Sequence, residues 1–236
     1  QMANASEGPV WTPPSENLRM QPPIPVQGDA VRPDAQLAAL LPYGVGNTHP
    51  RFFGWVHGSG TPSNIIADMV AAAMNANLGG RDHGAIYIEK QVVNWCKSLF
   101  GFPETASGLV VSGTSIATLI ALKSARDKMN NFVARKSGVP AGLVGYTSTQ
   151  THTCVARTFD MLGLGTDALR KIPVNAAYEI NTNALQAAIA DDRAAGLTPF
   201  AIIGTAGAVN VGAIDDLSTL ADIAASEKIW FHVDGA

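Results

Sequence analysis

Apolar positions change their spacing repeatedly along this chain from about residue 63 onward. Segments with helical spacing alternate with short, continuous apolar runs, and Gly or Pro often stands between them. The predicted helices are Ile65–Met74, Glu89–Phe100, Thr114–Leu122, Thr153–Leu162, Asn183–Ala195 and Leu217–Ser226. The predicted strands are Gly108–Val111, Gly142–Tyr146, Arg170–Val174, Phe200–Gly204 and Ile229–Val233. Such alternation predicts an α/β fold, with a mainly parallel sheet and helices on both of its faces.

Individual residues add evidence on the burial of one strand and on where three of the helices begin or end. The run Phe200–Gly204 is apolar throughout, which is typical of a strand buried on both faces of a parallel sheet. Ser63 is a candidate N-cap for the first of the helices. Gly101 and Gly196 stand where the second and fifth helices are expected to end.

The first forty residues differ in kind, because prolines prevent any long helix there, six of them between residues 13 and 33. They are Pro13, Pro14, Pro22, Pro23, Pro25 and Pro33. An extended arm that lies on another surface, such as a second subunit, is one interpretation, and a loose tail is the other. We therefore divide the chain into an N-terminal arm and helical segment, residues 1–62, and an α/β domain, residues 63–236.

Composition excludes several classes of protein. The 236 residues are 47% hydrophobic and 15% charged, as in a folded globular protein. With a net charge of -3 and no basic run, no nucleic-acid or anionic-membrane partner is expected. We predict no membrane span, signal peptide or metal site. Cys96 and Cys154 cannot form a disulfide framework, so two buried, reduced thiols in a cytoplasmic protein are expected.

Candidate chemistry falls where predicted strands end. Gly113, Thr114 and Ser115 lie at a strand-to-helix turn, where free N–H groups and hydroxyls can bind a phosphate. The same residues could be an ordinary helix cap. The segment lacks the lysine of a Walker loop and is not a Gly-x-Ser-x-Gly elbow.

Three later strand ends add further polar groups. His152 follows the second predicted strand, Thr205 follows the fourth, and Asp234 ends the last. In open α/β sheets ligands gather at this edge. A buried aspartate there could bind a ribose, a histidine or a protonated ring nitrogen, and a metal is the least favoured of its possible partners.

Taken in this order, the motifs resemble the group II pyridoxal-phosphate decarboxylases, which include aromatic L-amino-acid, histidine and glutamate decarboxylases. The resemblance runs from about His49 to Ala236. The segments that resemble the family are His49–Phe53, Ala67–Met69, Ser112–Ser115 with Ala117–Leu119, the His152 segment, Ala195–Phe200 and His232–Ala236. It implies the fold type I of pyridoxal-phosphate-dependent transferases, the fold of aspartate aminotransferase, incomplete in this chain.

The resemblance also implies site roles, with pyridoxal 5'-phosphate as cofactor. Asp234 would pair with the pyridine nitrogen, and His152 would stack on the ring and help place or protonate the substrate carbon; these two are the implied catalytic residues. Gly113, Thr114 and Ser115 would hold the phosphate, Thr205 would lie near the ring hydroxyl, and Ala236 would pack on the face opposite His152.

Substrate residues are also implied. Trp55 and His57 follow the His49–Phe53 segment, and Trp55 favours an aromatic side chain, although it could equally be a core residue. Arg81, in a Gly-rich loop that would reach the substrate across a dimer interface, favours an acidic substrate. A solvated loop arginine is the alternative for Arg81.

The function implied is a carbon–carbon lyase that releases CO₂ from an L-amino acid, with an aromatic one favoured, and this chain would be its N-terminal portion. The family's Schiff-base lysine matches none of the seven lysines, so we expect it outside this chain, in a continuation or a separate polypeptide. A cytoplasmic homodimer with its active site at the interface is implied. Alternatives are an aldehyde synthase, an aminotransferase, an acidic amino-acid decarboxylase, a non-catalytic domain that binds a phosphorylated ligand, and a dinucleotide enzyme.

Overall fold

The computed structural model of the chain describes residues 8–20, 37–54, 56–77, 79 and 81–236. These form two compact units, residues 1–81 and 82–236. The first unit contains helices α1 (Glu16–Arg19) and α2 (Pro62–Met74) and a 3-10 turn at Leu41–Tyr43. Residues 1–7, 21–36 and 55 of the predicted N-terminal segment lie outside the described residues. The division after residue 62 stays a prediction.

The second unit contains the sheet and the helices around it. Its helices are α3 (Gly84–Leu99), α4 (Thr114–Met129), α5 (Ala134–Ser137), α6 (Cys154–Met161), α7 (Thr182–Ala194) and α8 (Leu217–Glu227). Its strands are β1 (Leu143–Ser148), β2 (Leu169–Ile172), β3 (Thr198–Thr205) and β4 (Trp230–Asp234), and a 3-10 turn at Thr166–Ala168 precedes β2. The strands form one parallel sheet in the order β2-β1-β3-β4. The predicted α/β class and parallel pairing are confirmed.

Two apolar layers cover the sheet, because side chains alternate between its faces along each strand. On one face, α4 and α6 contribute Leu122 and Phe159 to a core that also contains Ile203. On the other face, α7 and α8 pack against a core that contains Tyr146 and Ile202. The central strand β3 is buried from Pro199 to its end, as predicted from its continuous apolar sequence.

A glycine in β1 shows how closely α6 approaches the sheet. A Cβ atom on Gly145 would lie 2.6 Å from Cζ of Phe159 and 3.2 Å from the carbonyl oxygen of Ala201. No side chain larger than hydrogen fits there without movement of buried atoms. Gly145 in β1 therefore allows α6 to pack close to the sheet, and this distance also sets the position of the turn that precedes the helix.

A buried polar network joins β1, β2 and α7 on the opposite face. The Tyr146 hydroxyl donates to Oδ2 of Asp192 at 2.9 Å, and Nη2 of Arg170 pairs with Oδ1 of Asp192 at 2.8 Å. Burial raises the pKa of Tyr146 well above its usual value, and the Asp192 carboxylate raises it further. The hydrogen bond from Arg170 lowers the pKa of Asp192 despite its burial. The tyrosine is therefore a permanent donor, and this network is structural.

Three sequence expectations were wrong in detail. Residues Gly108–Val111 form no strand; Val110 is exposed, and its N–H donates to Oε1 of Glu89 at 2.7 Å instead of to a neighbouring strand. Cys96 is exposed, whereas Cys154 is buried as expected. Helix α2 begins at Pro62, since proline suits the first helical position, and Thr61 rather than Ser63 occupies the N-cap.

In the described part of the chain no helix has both the length and the apolar character needed to cross a membrane.

Candidate functional site

The carboxyl ends of β3 and β4 lie side by side. Thr205 and Asp234 are register partners, and the Ala206 N–H donates to the Asp234 carbonyl at 2.8 Å. Ile203, two residues before Thr205, belongs to the core beneath α4 and α6. Because side chains alternate along a strand, Thr205 faces the same layer, and its register partner Asp234 faces that layer beside it.

The orientation of α4 follows from contacts at its two ends. Near its start, Thr118 is close enough to the thiol of Cys154, the first residue of α6, to lower its pKa. Near its end, Nζ of Lys128 lies 5.4 Å from the ring centroid of Trp230, the first residue of β4. The helix therefore runs antiparallel to the strands, and its N-terminus lies at the edge where β1, β3 and β4 end.

A glycine starts this helix. Gly113 is the N-cap residue of α4 and has φ 87° and ψ 161°, a backbone conformation that L-residues with a side chain rarely adopt. The first N–H groups of a helix have no acceptor within the helix itself. Those of Thr114 and Ser115, together with their hydroxyls, therefore form a cluster of donors at the positive end of the α4 dipole.

His152 lies in the turn between β1 and α6. Its Nδ1 accepts a hydrogen bond from the Cys154 N–H at 3.2 Å, and its ring is exposed. An Nδ1 that accepts carries no proton, so the neutral ring holds its proton on Nε2. The backbone of α6 thus fixes both the tautomer and the orientation of this imidazole.

Asp234 is a buried carboxylate with few partners. The residue is 7% exposed, and its Oδ1 accepts from the Ala236 N–H at 3.3 Å. Within the described residues, no lysine or arginine lies within ion-pair distance of it. An ionised carboxylate has about four lone-pair sites and is costly to bury without partners. This group is therefore suited to a cationic ligand atom.

The charge of Asp234 affects two neighbouring groups. Burial raises the pKa of the Cys154 thiol, and the Asp234 carboxylate raises it further. Burial lowers the pKa of His232, and the same carboxylate partly offsets this effect. Cys154 is thus a neutral thiol, and His232 favours the neutral imidazole, so neither neutralises the aspartate.

Sequence analysis missed a cluster of hydroxyls beneath these groups. Thr151 Oγ1 lies in close hydrogen-bonding contact with Thr147 Oγ1, and 3.3 Å from both Ser148 Oγ and Thr205 Oγ1. Thr147 Oγ1 in turn donates to the Ile203 carbonyl at 3.2 Å. A sequence signal existed, because four of the five residues 147–151, which follow a predicted strand, carry hydroxyls.

Sequence analysis also missed Asp215, which holds the end of β3. Its Oδ2 accepts from the Thr205 N–H at 2.8 Å, and its Oδ1 accepts from the Ile180 N–H at 2.7 Å. The Asp215 N–H also donates to the Thr205 carbonyl at 2.9 Å. The backbone of Thr205 is thereby held on both sides. The next residue, Asp216, caps α8 by accepting from the Thr219 N–H, and its Oδ2 also accepts from the Thr219 hydroxyl at 2.6 Å.

The predicted cofactor residues come together at one edge of the sheet. They are Gly113, Thr114, Ser115, His152, Thr205, Asp234 and Ala236. Of the predicted substrate residues, Trp55 lies outside the described residues. His57 and Arg81 are exposed residues of the first unit, where the His57 ring meets Phe52 edge-on at 5.6 Å. The roles of all these residues stay predictions.

Comparisons with known proteins agree on one family. The family model described as the pyridoxal-dependent decarboxylase conserved domain matches residues 19–236. An aromatic-L-amino-acid decarboxylase from Bacillus atrophaeus is 38% identical over 193 residues, which cover 80% of this chain and 38% of that protein. A phenylacetaldehyde synthase from Arabidopsis thaliana is 30% identical over 229 residues, 91% of this chain and 45% of that protein.

Solved structures agree as well. The glutamate decarboxylase domain of diaminobutyrate-pyruvate transaminase and L-2,4-diaminobutyrate decarboxylase from Vibrio parahaemolyticus superposes with a TM-score of 0.84 at 28% identity, over 94% of this chain and 50% of that one. The chain thus spans half or less of the length of these three relatives. The resemblance seen in the sequence and the predicted fold class are confirmed. This chain belongs to the pyridoxal-dependent decarboxylase family.

Proposed function

We propose that this chain forms the cofactor-binding part of an amino-acid decarboxylase that uses pyridoxal 5'-phosphate to release CO₂ from an L-amino acid. One observation supports the proposal above all others. Asp234 is a buried carboxylate at the ligand edge of a parallel sheet, and no basic side chain of the described residues pairs with it. A protonated pyridine nitrogen is the kind of partner that such a group requires.

The remaining donors and acceptors fit the other polar groups of the cofactor. The start of α4, with Gly113, Thr114 and Ser115, offers N–H and hydroxyl donors to a phosphate. The Thr205 hydroxyl, beside Asp234, would meet the ring hydroxyl. A phosphate, a ring hydroxyl and a ring nitrogen thus each have a chemically matched partner at this edge.

Two residues would contact the faces of the ring. His152 presents an exposed, oriented imidazole that can stack on an aromatic system. Ala236 lies two residues after Asp234, to which its N–H donates, and it is small enough to pack on the opposite face. With its proton on Nε2, His152 can also hold or deliver a proton at the substrate carbon that loses CO₂.

The cofactor, when bound, supplies an electron sink for the negative charge that decarboxylation leaves on the substrate's α-carbon. The role of Asp234 is to keep the ring nitrogen protonated, because an ionised carboxylate in contact raises the pKa of that nitrogen. Burial strengthens this interaction, since the local dielectric constant is lower than that of water.

The Schiff-base lysine of the family is proposed to lie outside this chain. The contacts and positions of several described lysines support this assignment. Lys123 pairs with Asp127, Lys128 lies over Trp230, Lys90 lies over Tyr87, and Lys97 donates to the Glu104 carbonyl. Lys171 is on β2, which is not adjacent to β3 or β4.

An aromatic amino acid is the proposed substrate. Trp55 in the predicted pocket segment and the similarity to an aromatic-L-amino-acid decarboxylase support it. An acidic amino acid is the second candidate, supported by Arg81 and by the structural likeness to a glutamate decarboxylase domain. An aldehyde synthase is the third, supported by the similarity to a phenylacetaldehyde synthase.

A homodimer with its active site at the interface is also proposed, in the cytoplasm. Helix α3 supports the dimer, because none of its sixteen residues is buried. Its exposed apolar side chains include Tyr87, Ile88, Trp95 and Leu99, which a second subunit or the remainder of the enzyme would cover. Light scattering of the full-length enzyme, with and without a Trp95→Glu substitution in α3, measures the oligomeric state.

A product analysis tests the chemistry. The full-length enzyme, saturated with pyridoxal phosphate, is incubated separately with aromatic and with acidic L-amino acids, and CO₂, amine and aldehyde are quantified. Equal amounts of CO₂ and amine from aromatic substrates are expected. Aldehyde in place of amine would favour the synthase, and turnover only of acidic substrates, lost in Arg81→Gln, would favour the second candidate. Failure to bind pyridoxal phosphate would overturn the proposal.

A further inference from the structure

We propose that Thr151 is a positioning residue that orients the Thr205 hydroxyl, so that Thr205 faces the cofactor only as a hydrogen-bond acceptor. This inference rests on the proposed function, because it concerns the same site. Thr151 lies in the His152 segment, but the resemblance to the family implies no role for it, and its contacts with other hydroxyls are the basis of the inference.

Thr151 makes contacts that connect two strand ends. It lies in the turn after β1, one residue before His152, and its Oγ1 reaches Thr205 Oγ1 at the end of β3 at 3.3 Å. The same atom contacts the hydroxyls of Thr147 and Ser148, which are 1% exposed. One hydroxyl thus ties the turn that carries His152 to the strand that carries Thr205.

The proton positions in this cluster follow from counting donors. Each hydroxyl has one proton to donate and two lone pairs. Thr147 donates its proton to the Ile203 carbonyl, because a carbonyl oxygen can only accept. In the contact between Thr147 and Thr151, the proton must therefore come from Thr151.

Thr151 then has no second proton to offer. It accepts from Ser148 and from Thr205, which uses both of its lone pairs. The bonds run in one direction, from Thr205 to Thr151, to Thr147 and finally to the Ile203 carbonyl. Burial makes this order stable, because an unpaired proton or lone pair inside the protein is costly.

The consequence for the site concerns Thr205. With its own proton directed at Thr151, this hydroxyl offers only lone pairs to a ligand. A ligand group that meets it must donate, as a protonated ring hydroxyl does. Removal of the Thr151 hydroxyl frees the Thr205 proton, so that Thr205 can donate or accept and loses its preference for a donor.

The test compares two ligands in four proteins. Dissociation constants are measured by absorbance titration for pyridoxal phosphate and for its analogue without the ring hydroxyl. The proteins are the full-length wild-type enzyme, Thr151→Val, Thr151→Ser and Thr149→Val. Valine has the shape of threonine without the hydroxyl, serine retains the hydroxyl, and Thr149 is an exposed residue of the same turn.

We expect Thr151→Val to weaken binding of pyridoxal phosphate by about two- to tenfold, the range for one neutral hydrogen bond, and to leave binding of the analogue unchanged. Thr151→Ser and Thr149→Val should retain the wild-type ratio of the two constants. A Thr151→Val ratio equal to that of the wild type, or an equal loss of affinity for both ligands, overturns the inference while the proposed function stands. A wild-type enzyme that binds neither ligand overturns both. If Thr151→Val does not fold, Thr147→Val is measured instead, because it interrupts the same series of hydrogen bonds. A ratio of the two dissociation constants that changes as expected for Thr151→Val supports the inference, and the wild-type ratio overturns it.

Discussion

Thr205 and Asp234 are joined across two parallel strands, through their register and through the hydrogen bond from the Ala206 N–H to the Asp234 carbonyl. Neighbouring strands lie about 4.8 Å apart, so the hydroxyl and the carboxylate are held at a spacing that the backbone sets. Asp215 holds the backbone of Thr205 in turn. Both polar groups are therefore positioned before any ligand binds, which limits the reorganisation that binding requires.

Replacement of the buried carboxylate tests the central assignment. In Asp234→Asn the side chain keeps its size but cannot hold a proton on the ring nitrogen. We expect kcat to fall by about a hundredfold or more, which corresponds to a loss of about 3 kcal/mol from a charged hydrogen bond. Steady-state CO₂ release measures it, with the exposed Asp222→Asn in α8 as a control. Normal kcat in Asp234→Asn would contradict the assignment.

Asp215 is expected to matter for stability more than its neighbour does. Asp215→Ala leaves two buried N–H groups, those of Thr205 and Ile180, without their acceptor. The free energy of unfolding should fall by about 2–4 kcal/mol. The matched variant Asp216→Ala loses only a helix cap, at a cost of about 1 kcal/mol. Thermal melting compares the two variants, and equal shifts in melting temperature would argue against this role of Asp215.

His232 should make stability depend on pH. Burial lowers the pKa of His232 in the folded protein, so the unfolded chain binds this proton more readily. Stability is therefore retained above the ordinary pKa of about 6.5 and falls as the pH drops from there toward the folded-state value. His232→Leu removes this contribution. Melting temperatures between pH 5 and 8 should decline less steeply in the variant, and parallel curves would refute the prediction.

Two glycines should respond oppositely to substitution by alanine. At Gly145 a Cβ atom would lie 2.6 Å from the Phe159 ring, so overpacking should destabilise the fold by about 1–3 kcal/mol. At Gly84, the first residue of α3, a Cβ atom meets nothing within 4 Å. There alanine should be neutral or stabilise by about 0.4–1 kcal/mol. Melting temperatures that change in the same direction in both variants would contradict the prediction that the Phe159 ring excludes a side chain at position 145.

Local sequence patterns predicted most of the α/β unit, because helical and strand periodicities report which side chains are buried. The apolar run in β3 is the clearest case, as every residue from Pro199 to Thr205 is buried. The same signal failed at Gly108–Val111, where four apolar or small residues lie outside the sheet. A short apolar run specifies burial or strand formation only when another strand is available to pair with it.

The sequence by itself determined the family, the alternation of helices and strands that implies a parallel sheet, and the polar groups that end the strands. Each of these depends on residue types at local spacings. Tertiary structure decided which of those groups meet. Only the sheet register joins Thr205 to Asp234, and only the packing of α6 brings Thr151 to Thr205, 54 positions away in the sequence. Hydrogen bonds between side chains depend on distances of a few tenths of an ångström, and the packed strands and helices set those distances.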